Sequence, residues 1–167
     1  DGRWFYFSQD DGRGLFSIRA IVRDHPERPT ELAIGGEGAS CTQPMVAKVN
    51  GVQTLFFVKT NTGAASDMDI WSCTIDGVET SDAKPLGSPV NTPGNETCPF
   101  FDSTSNTLWF SSDFLPGFGN CDIFSSVLGP SGYSTPENAG APLNGSANDL
   151  YPTFDAHTMS GWFTSNR

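Results

Sequence analysis

The 167 residues carry 9 Lys+Arg against 19 Asp+Glu, a formal net charge of −10, which is the opposite of the basic footprint that nucleic acid requires. Hydrophobic residues make up 37% and charged residues only 17%, with Gly 18 and Pro 12; that Gly and Pro density excludes a helical bundle and a doubly wound α/β fold. No apolar run approaches the roughly 18 residues of a membrane span, so no membrane-spanning segment is expected.

The chain opens on Asp1-Gly2-Arg3, read as a turn, and runs straight into the apolar strand candidate Trp4-Phe5-Tyr6-Phe7. Gly14-Leu15-Phe16-Ser17 supplies the next strand. The polar stretch Arg23-Asp24-His25-Pro26-Glu27-Arg28-Pro29 reads as a loop with an exposed histidine. Gly35-Gly36-Glu37-Gly38 follows no βα context and reads as a connection between units. Gln43-Pro44-Met45-Val46 and Leu55-Phe56-Phe57-Val58 flank Asn50-Gly51, the strongest two-residue hairpin signal. Asp69-Ile70-Trp71-Ser72 is a third strand, and Leu86-Gly87-Ser88-Pro89-Val90-Asn91 a link. Glu96-Thr97-Cys98-Pro99-Phe100-Phe101 and Leu108-Trp109-Phe110-Ser111 enclose a turn rich in Ser, Thr and Asn. A Gly/Pro-rich loop, Phe114 to Asn120, then leads to Asp122-Ile123-Phe124-Ser125, and one weaker strand is expected over Tyr133 to Asn138. The last segments are Asp149-Leu150-Tyr151-Pro152-Thr153-Phe154 and Gly161-Trp162-Phe163-Thr164. Strand-like sequence at both ends suggests an excerpt from a longer polypeptide.

These segments repeat. Pro99 to Pro152, Phe110 to Phe163, Asp69 to Asp122 and Leu86-to-Asn91 against Ala139-to-Asn144 are all offset by 53 residues, in one order. Pro44 precedes Pro99 by 55 residues, and the first copy lacks a Pro-led strand. Three or four short antiparallel strands in a unit of about 50 residues describe a propeller blade. The expected fold is therefore all-β: a partial β-propeller of about three four-stranded blades, over residues 1–40 (first strand missing), 41–95, 96–148 and 149–167 (incomplete). Phe7, Phe57, Phe110 and Phe163 are expected between blades, with Phe16, Trp71 and Phe124 behind them. The ring would be completed by further blades or by a second copy, because propellers use about four to eight.

The run from Pro99 through Trp109-Phe110-Ser111-Ser112-Asp113, Gly117-Phe118-Gly119 and Asp122-Ile123-Phe124 resembles the TolB-like, WD-repeat-like β-propeller repeat. It is especially similar to the version in bacterial cell-envelope proteins that also carry an OmpA-type peptidoglycan-binding domain. Tyr133-Ser134-Thr135-Pro136, Pro142-Leu143-Asn144 and the closing Ser165-Asn166-Arg167 fit the same pattern. Ser103-Thr104-Ser105 and Ala156-His157-Thr158 depart from it, standing where the family has Pro-Asp-Gly. The resemblance implies an exported protein, periplasmic or outer-membrane-associated, whose partners are other envelope proteins, or peptidoglycan or another glycan. It also implies a place in a secretion or motility assembly.

No catalytic constellation stands out, and no cofactor is implied. His25 and His157 have no companion at zinc-ligand spacing. Asp69 and Asp122 recur one repeat apart, each just before a strand, and read as loop caps that bond backbone N–H groups. Asp67 and Asp69 with carbonyls of the Gly63 loop form an incomplete set of hard calcium ligands. Cys41, Cys73, Cys98 and Cys121 show no Cys-x-x-Cys spacing. In an exported protein one or two disulfides are a possibility, with Cys41 and Cys98 equivalent on adjacent blades, against buried free thiols. The apolar loop bearing Phe114, Leu115, Phe118 and Asn120 is the candidate docking surface. The function expected is a non-enzymatic interaction scaffold; the alternatives are a fragment of a carbohydrate-active propeller enzyme or the accessory propeller of a serine peptidase.

Overall fold

The computed structural model describes residues 2–61, 67–155, 158 and 160–167. Asp1, the Gly63 loop, Ala156 and His157 therefore lie outside the described residues, together with the turn, calcium-ligand and hairpin expectations that rest on them. The described chain is all-β and antiparallel within each sheet, and none of its helices is long and apolar enough to cross a membrane.

Four sheets follow one another in chain order. The first joins β1 (Trp4–Asp10), β2 (Phe16–Val22) and β3 (His25–Glu31). The second runs β4 (Ala39–Val49), β5 (Val52–Asn61), β6 (Met68–Asp76), β7 (Glu79–Thr80), with β8 (Lys84–Pro85) also pairing on β6. In the third, β9 (Glu96–Asp102), β10 (Thr107–Ser112), β11 (Asp122–Gly129) and β12 (Gly132–Tyr133) repeat that order, with β13 (Glu137–Asn138) on β11. The fourth pairs β14 (Asp149–Asp155) with β15 (Ser160–Ser165). Strands in contact belong to the same sheet or to successive sheets.

Local chemistry explains the turns. Asn50 and Gly51 both take positive φ (49° and 84°), and Val49 faces Val52 across them; this is the turn that Asn-Gly favours. The Asp102 carboxylate holds the next hairpin by accepting bonds from the Thr104 N–H (2.9 Å) and the Ser105 hydroxyl (2.6 Å).

The 53-residue offset extends to hydrogen bonds. Asn91 accepts from the Ile70 N–H (3.1 Å) and donates to the Ile70 carbonyl (3.0 Å). One repeat later, Asn144 does the same to Ile123, at 2.9 and 2.8 Å. Each amide thus imitates a neighbouring strand for one residue. The preceding Ser88-Pro89 and Ala141-Pro142 peptides are both cis.

Aromatic rings fill the spaces between sheets. Leu55 and Phe57 pack toward Ile18 and Ala20 of the first sheet, whereas Phe56, on the opposite face, joins Phe101, Leu108, Phe110 and Phe124 of the third. Period-two alternation puts neighbours Phe56 and Phe57 into different cores.

Several expectations are corrected. Phe57, Phe110 and Phe124 are buried, but Phe16 and Phe163 are each 37% exposed and Phe7 is half-buried. Phe16 sits at the strand end opposite Asp10, and Phe163 lies on β15, whose one paired neighbour among the described residues is β14. Trp71 is half-buried, with the Lys59 ammonium 4.2 Å from its ring centre. The single strand expected over Tyr133 to Asn138 is two short ones. Between them lies Pro136, which has no N–H to donate, and Ser134 turns its hydroxyl to the Val127 N–H (3.0 Å). The stretch around His25 is an exposed edge strand, β3, rather than a loop; Pro26 and Pro29 are tolerated at such an edge.

Candidate interaction surface and inner cleft

The loop between β10 and β11 is clamped at both ends. The Ser112 hydroxyl accepts from the N–H groups of Phe114 (3.2 Å) and Leu115 (3.4 Å). At the far end Asp122 Oδ2 accepts from the N–H groups of Phe118 and Gly119, the latter at 3.2 Å. Asp122 is buried and caps this loop; Asp69 is half-buried, and burial with the nearby Asp67 and Glu96 carboxylates raises its pKa. Close packing explains Gly119: a Cβ there would lie 1.9 Å from the Ala147 carbonyl oxygen. Leu115 packs on the core between the second and third sheets, while Phe114 and Phe118 stay 56% and 61% exposed and Asn120 is exposed. Two aromatic rings are thus displayed by a backbone whose N–H groups are fixed.

A second feature lies where the first strands of successive sheets meet. Pro44, Pro99 and Pro152 each follow a residue with left-handed backbone: Gln43 (φ 54°), Cys98 (φ 55°) and Tyr151 (φ 54°). A register shift interrupts strand pairing beside each of them. The turned N–H groups are satisfied in series. Gln43 donates to the Ser8 hydroxyl (3.1 Å) and Cys98 donates to Gln43 Oε1 (2.6 Å), while the Tyr151 N–H faces the Cys98 thiol and works against the burial that raises its pKa. The Gln43 amide also donates to the Tyr151 hydroxyl at 3.3 Å, linking the second sheet to the fourth. These residues border a cleft of about 370 Å³ that also meets Asn95, Asn148 and Cys121.

Two buried carboxylates, one repeat apart, open the first strands of the third and fourth sheets. Glu96 accepts from the Thr92 N–H (2.7 Å), the Thr92 hydroxyl (2.6 Å) and the Ser112 hydroxyl (2.7 Å). Asp149 accepts from the Gly145 N–H (2.7 Å) and pairs with the Arg167 guanidinium at 3.1 Å.

Of the two readings open for the cysteines, the structure has the free thiols: Cys41 and Cys98 are not bonded, and all four are free. Cys41 sits in the core between the first two sheets, whereas Cys98 borders the inner cleft. Burial pushes Cys41 and Cys73 up to about 11 and Cys121 up to about 12, which removes thiolate character at neutral pH. Among the described residues no group of three or more His, Cys, Asp or Glu side chains could hold a metal ion.

The sequence reading missed the left-handed residues, the Asn91 and Asn144 clips and the Glu96/Asp149 pair. The 53-residue offset carried a signal for the last two. No family model, curated protein or solved structure matches the chain.

Proposed function

We propose that the four sheets are blades of a β-propeller, and that the protein is a non-enzymatic interaction scaffold of the bacterial cell envelope, periplasmic or outer-membrane-associated. The strand order repeated between the second and third sheets supports the propeller reading, as does the meeting of their first strands through Gln43, Cys98 and Tyr151. The scaffold reading is carried by one observation: Phe114 and Phe118 project from a loop whose N–H groups are fixed by Ser112 and Asp122. A pre-fixed loop loses little conformational freedom on docking, and exposed aromatics are effective anchors for a protein partner. The partner is another envelope protein.

The test replaces Phe118 by a photo-crosslinking phenylalanine analogue in envelope-expressed protein. A discrete crosslinked protein is expected, and it should disappear when Phe114→Ser is added. The variant's unfolding free energy should stay within about 0.5 kcal/mol, as for other surface changes. Crosslinks unaffected by Phe114→Ser would refute the docking role.

A further inference from the structure

The Phe114 end of the aromatic loop borders an open groove of about 490 Å³. Pro89 and Pro93 reach it from the link between β8 and β9, Phe114 and Leu115 from the loop itself, and Pro136 from between β12 and β13. The polar groups at this border are largely used. Asn91 bonds both backbone groups of Ile70, and Thr92 gives its N–H and its hydroxyl to buried Glu96. What the groove offers a ligand is mainly carbon, on a backbone that three proline rings stiffen.

The charge beside it has one sign. A Cβ built on Gly94 would lie 2.5 Å from the Phe114 Cβ and 2.6 Å from Asp113 Oδ1, so this carboxylate sits where the link meets the Phe114 side chain. Asp113 is exposed, and each of its oxygens accepts one bond from Asn95, at 2.7 and 2.6 Å. An ionised carboxylate has about four acceptor positions, so it can take more. Glu137, the residue after Pro136, is exposed as well. From Pro85 to Asn166 the sequence contains no Lys or Arg, and Arg167 is paired with Asp149. The third sheet therefore supplies no cation of its own to these carboxylates.

A ligand that suits this border has an apolar stem and a positive head. A neutral sugar would find few free hydrogen-bonding groups, and an anion would meet like charge. A basic side chain lays its carbon stem along apolar surface while its head stays with water and countercharge. A guanidinium also stacks on an aromatic face, which an ammonium does less well.

We infer that the groove of Pro89, Pro93, Phe114 and Pro136 takes an arginine side chain from a basic segment of the partner, with the guanidinium over the Phe114 ring and beside Asp113. This occupant rests on the docking role proposed for the aromatic loop and gives the partner surface its sign. Opposite charge then steers the encounter and fixes its orientation.

The probe is the peptide acetyl-Gly-Arg-Gly-Arg-Gly-amide, titrated to millimolar concentration into the intact ¹⁵N-labelled protein, with the citrulline peptide as its neutral isostere. The arginine peptide should shift the N–H signals of Phe114, Leu115 and Thr135, and the citrulline peptide should not. Asp113→Asn keeps an acceptor for the Asn95 N–H and should weaken binding about threefold, as should Phe114→Ser. Glu137→Gln, on an exposed edge strand, provides a second charge variant. Raising salt from about 50 to about 300 mM should weaken binding further. The basic occupant is overturned if citrulline binds as well as arginine, if the shifts spread over the first sheet as much as the groove, or if Asp113→Asn and Phe114→Ser both bind like the parent. The Phe118 crosslink reads the docking role separately. A crosslink in envelope-expressed protein alongside a silent arginine peptide overturns the basic occupant alone, whereas absence of any crosslink overturns the docking role beneath it.

Discussion

The rings of Phe56 and Phe101 stack 5.3 Å apart at an interplanar angle of 13°, and 53 residues further on Trp109 meets Phe154 at 4.6 Å. Each pair joins the second strand of a sheet's hairpin to the leading strand of the next sheet. The inter-sheet joint is therefore repeated with its strand positions kept and its geometry relaxed, from stacked to tilted at 52°.

Phe110 is fully buried between the second and third sheets, and Phe163 occupies the repeat-equivalent position at 37% exposure. Phe110→Ala should cost about 3–5 kcal/mol, the usual range for emptying a buried aromatic site. Phe163→Ala should cost clearly less. Urea unfolding of both variants checks this, and equal losses would contradict the assigned burial.

Asn144→Ala should cost about 1–3 kcal/mol, because it strands the N–H of buried Ile123, whose carbonyl keeps the Ala139 N–H (3.0 Å). Asn144→Asp keeps the acceptor but not the donor, so it should also destabilise. A neutral Asn144→Ala, measured by the same unfolding curves, would mean that water replaces the amide at no loss.

Burial opposes ionisation of Asp149, but hydrogen bonds from Ser165 and the Gly145 N–H, with the Arg167 guanidinium, hold its carboxyl below the ordinary 3.8. A carboxyl depressed in the folded state stabilises the fold above its unfolded value, and that contribution is lost as pH falls through the folded value. The thermal midpoint should therefore drop as pH is lowered from about 3.8, and Arg167→Gln should flatten that acid-side slope. An identical slope in the variant would remove Arg167 from the account.

All four cysteines should resist iodoacetamide at pH 8 in the folded protein and take up four equivalents in urea. Intact mass distinguishes these outcomes. Rapid labelling of half-buried Cys121 in the native state, or fewer than four equivalents after unfolding without reductant, would be inconsistent with free, protonated thiols.

The repeat was legible because aromatic strand residues and Gly-Pro links recur at one spacing, and Asn50-Gly51 named its own turn. Phe16 and Phe163 show where that reading fails: repeat equivalence identifies a facing direction, but burial also needs a covering strand. The left-handed Gln43, Cys98 and Tyr151 were not legible, since the residue before proline is ordinarily extended. Their N–H groups find partners on other sheets, a non-local bond that a linear pattern does not carry. For the aromatic loop, sequence identified the rings; the Ser112 and Asp122 clamps that keep them outward emerged with the fold.

Strand-on-strand packing runs between successive sheets, crossed by the Gln43–Tyr151 hydrogen bond, so cohesion is close to a sum of nearest-neighbour terms along a row. Among the described residues the β14–β15 hairpin packs its strands on the third sheet, with the Gln43–Tyr151 bond to the second, whereas the second and third sheets are packed from two sides. Amide protons of β15 should therefore exchange through a local opening that leaves Phe56 and Phe101 stacked. Strands paired with their chain neighbours also keep contact order low within a sheet, so each hairpin can assemble before the joints between sheets close.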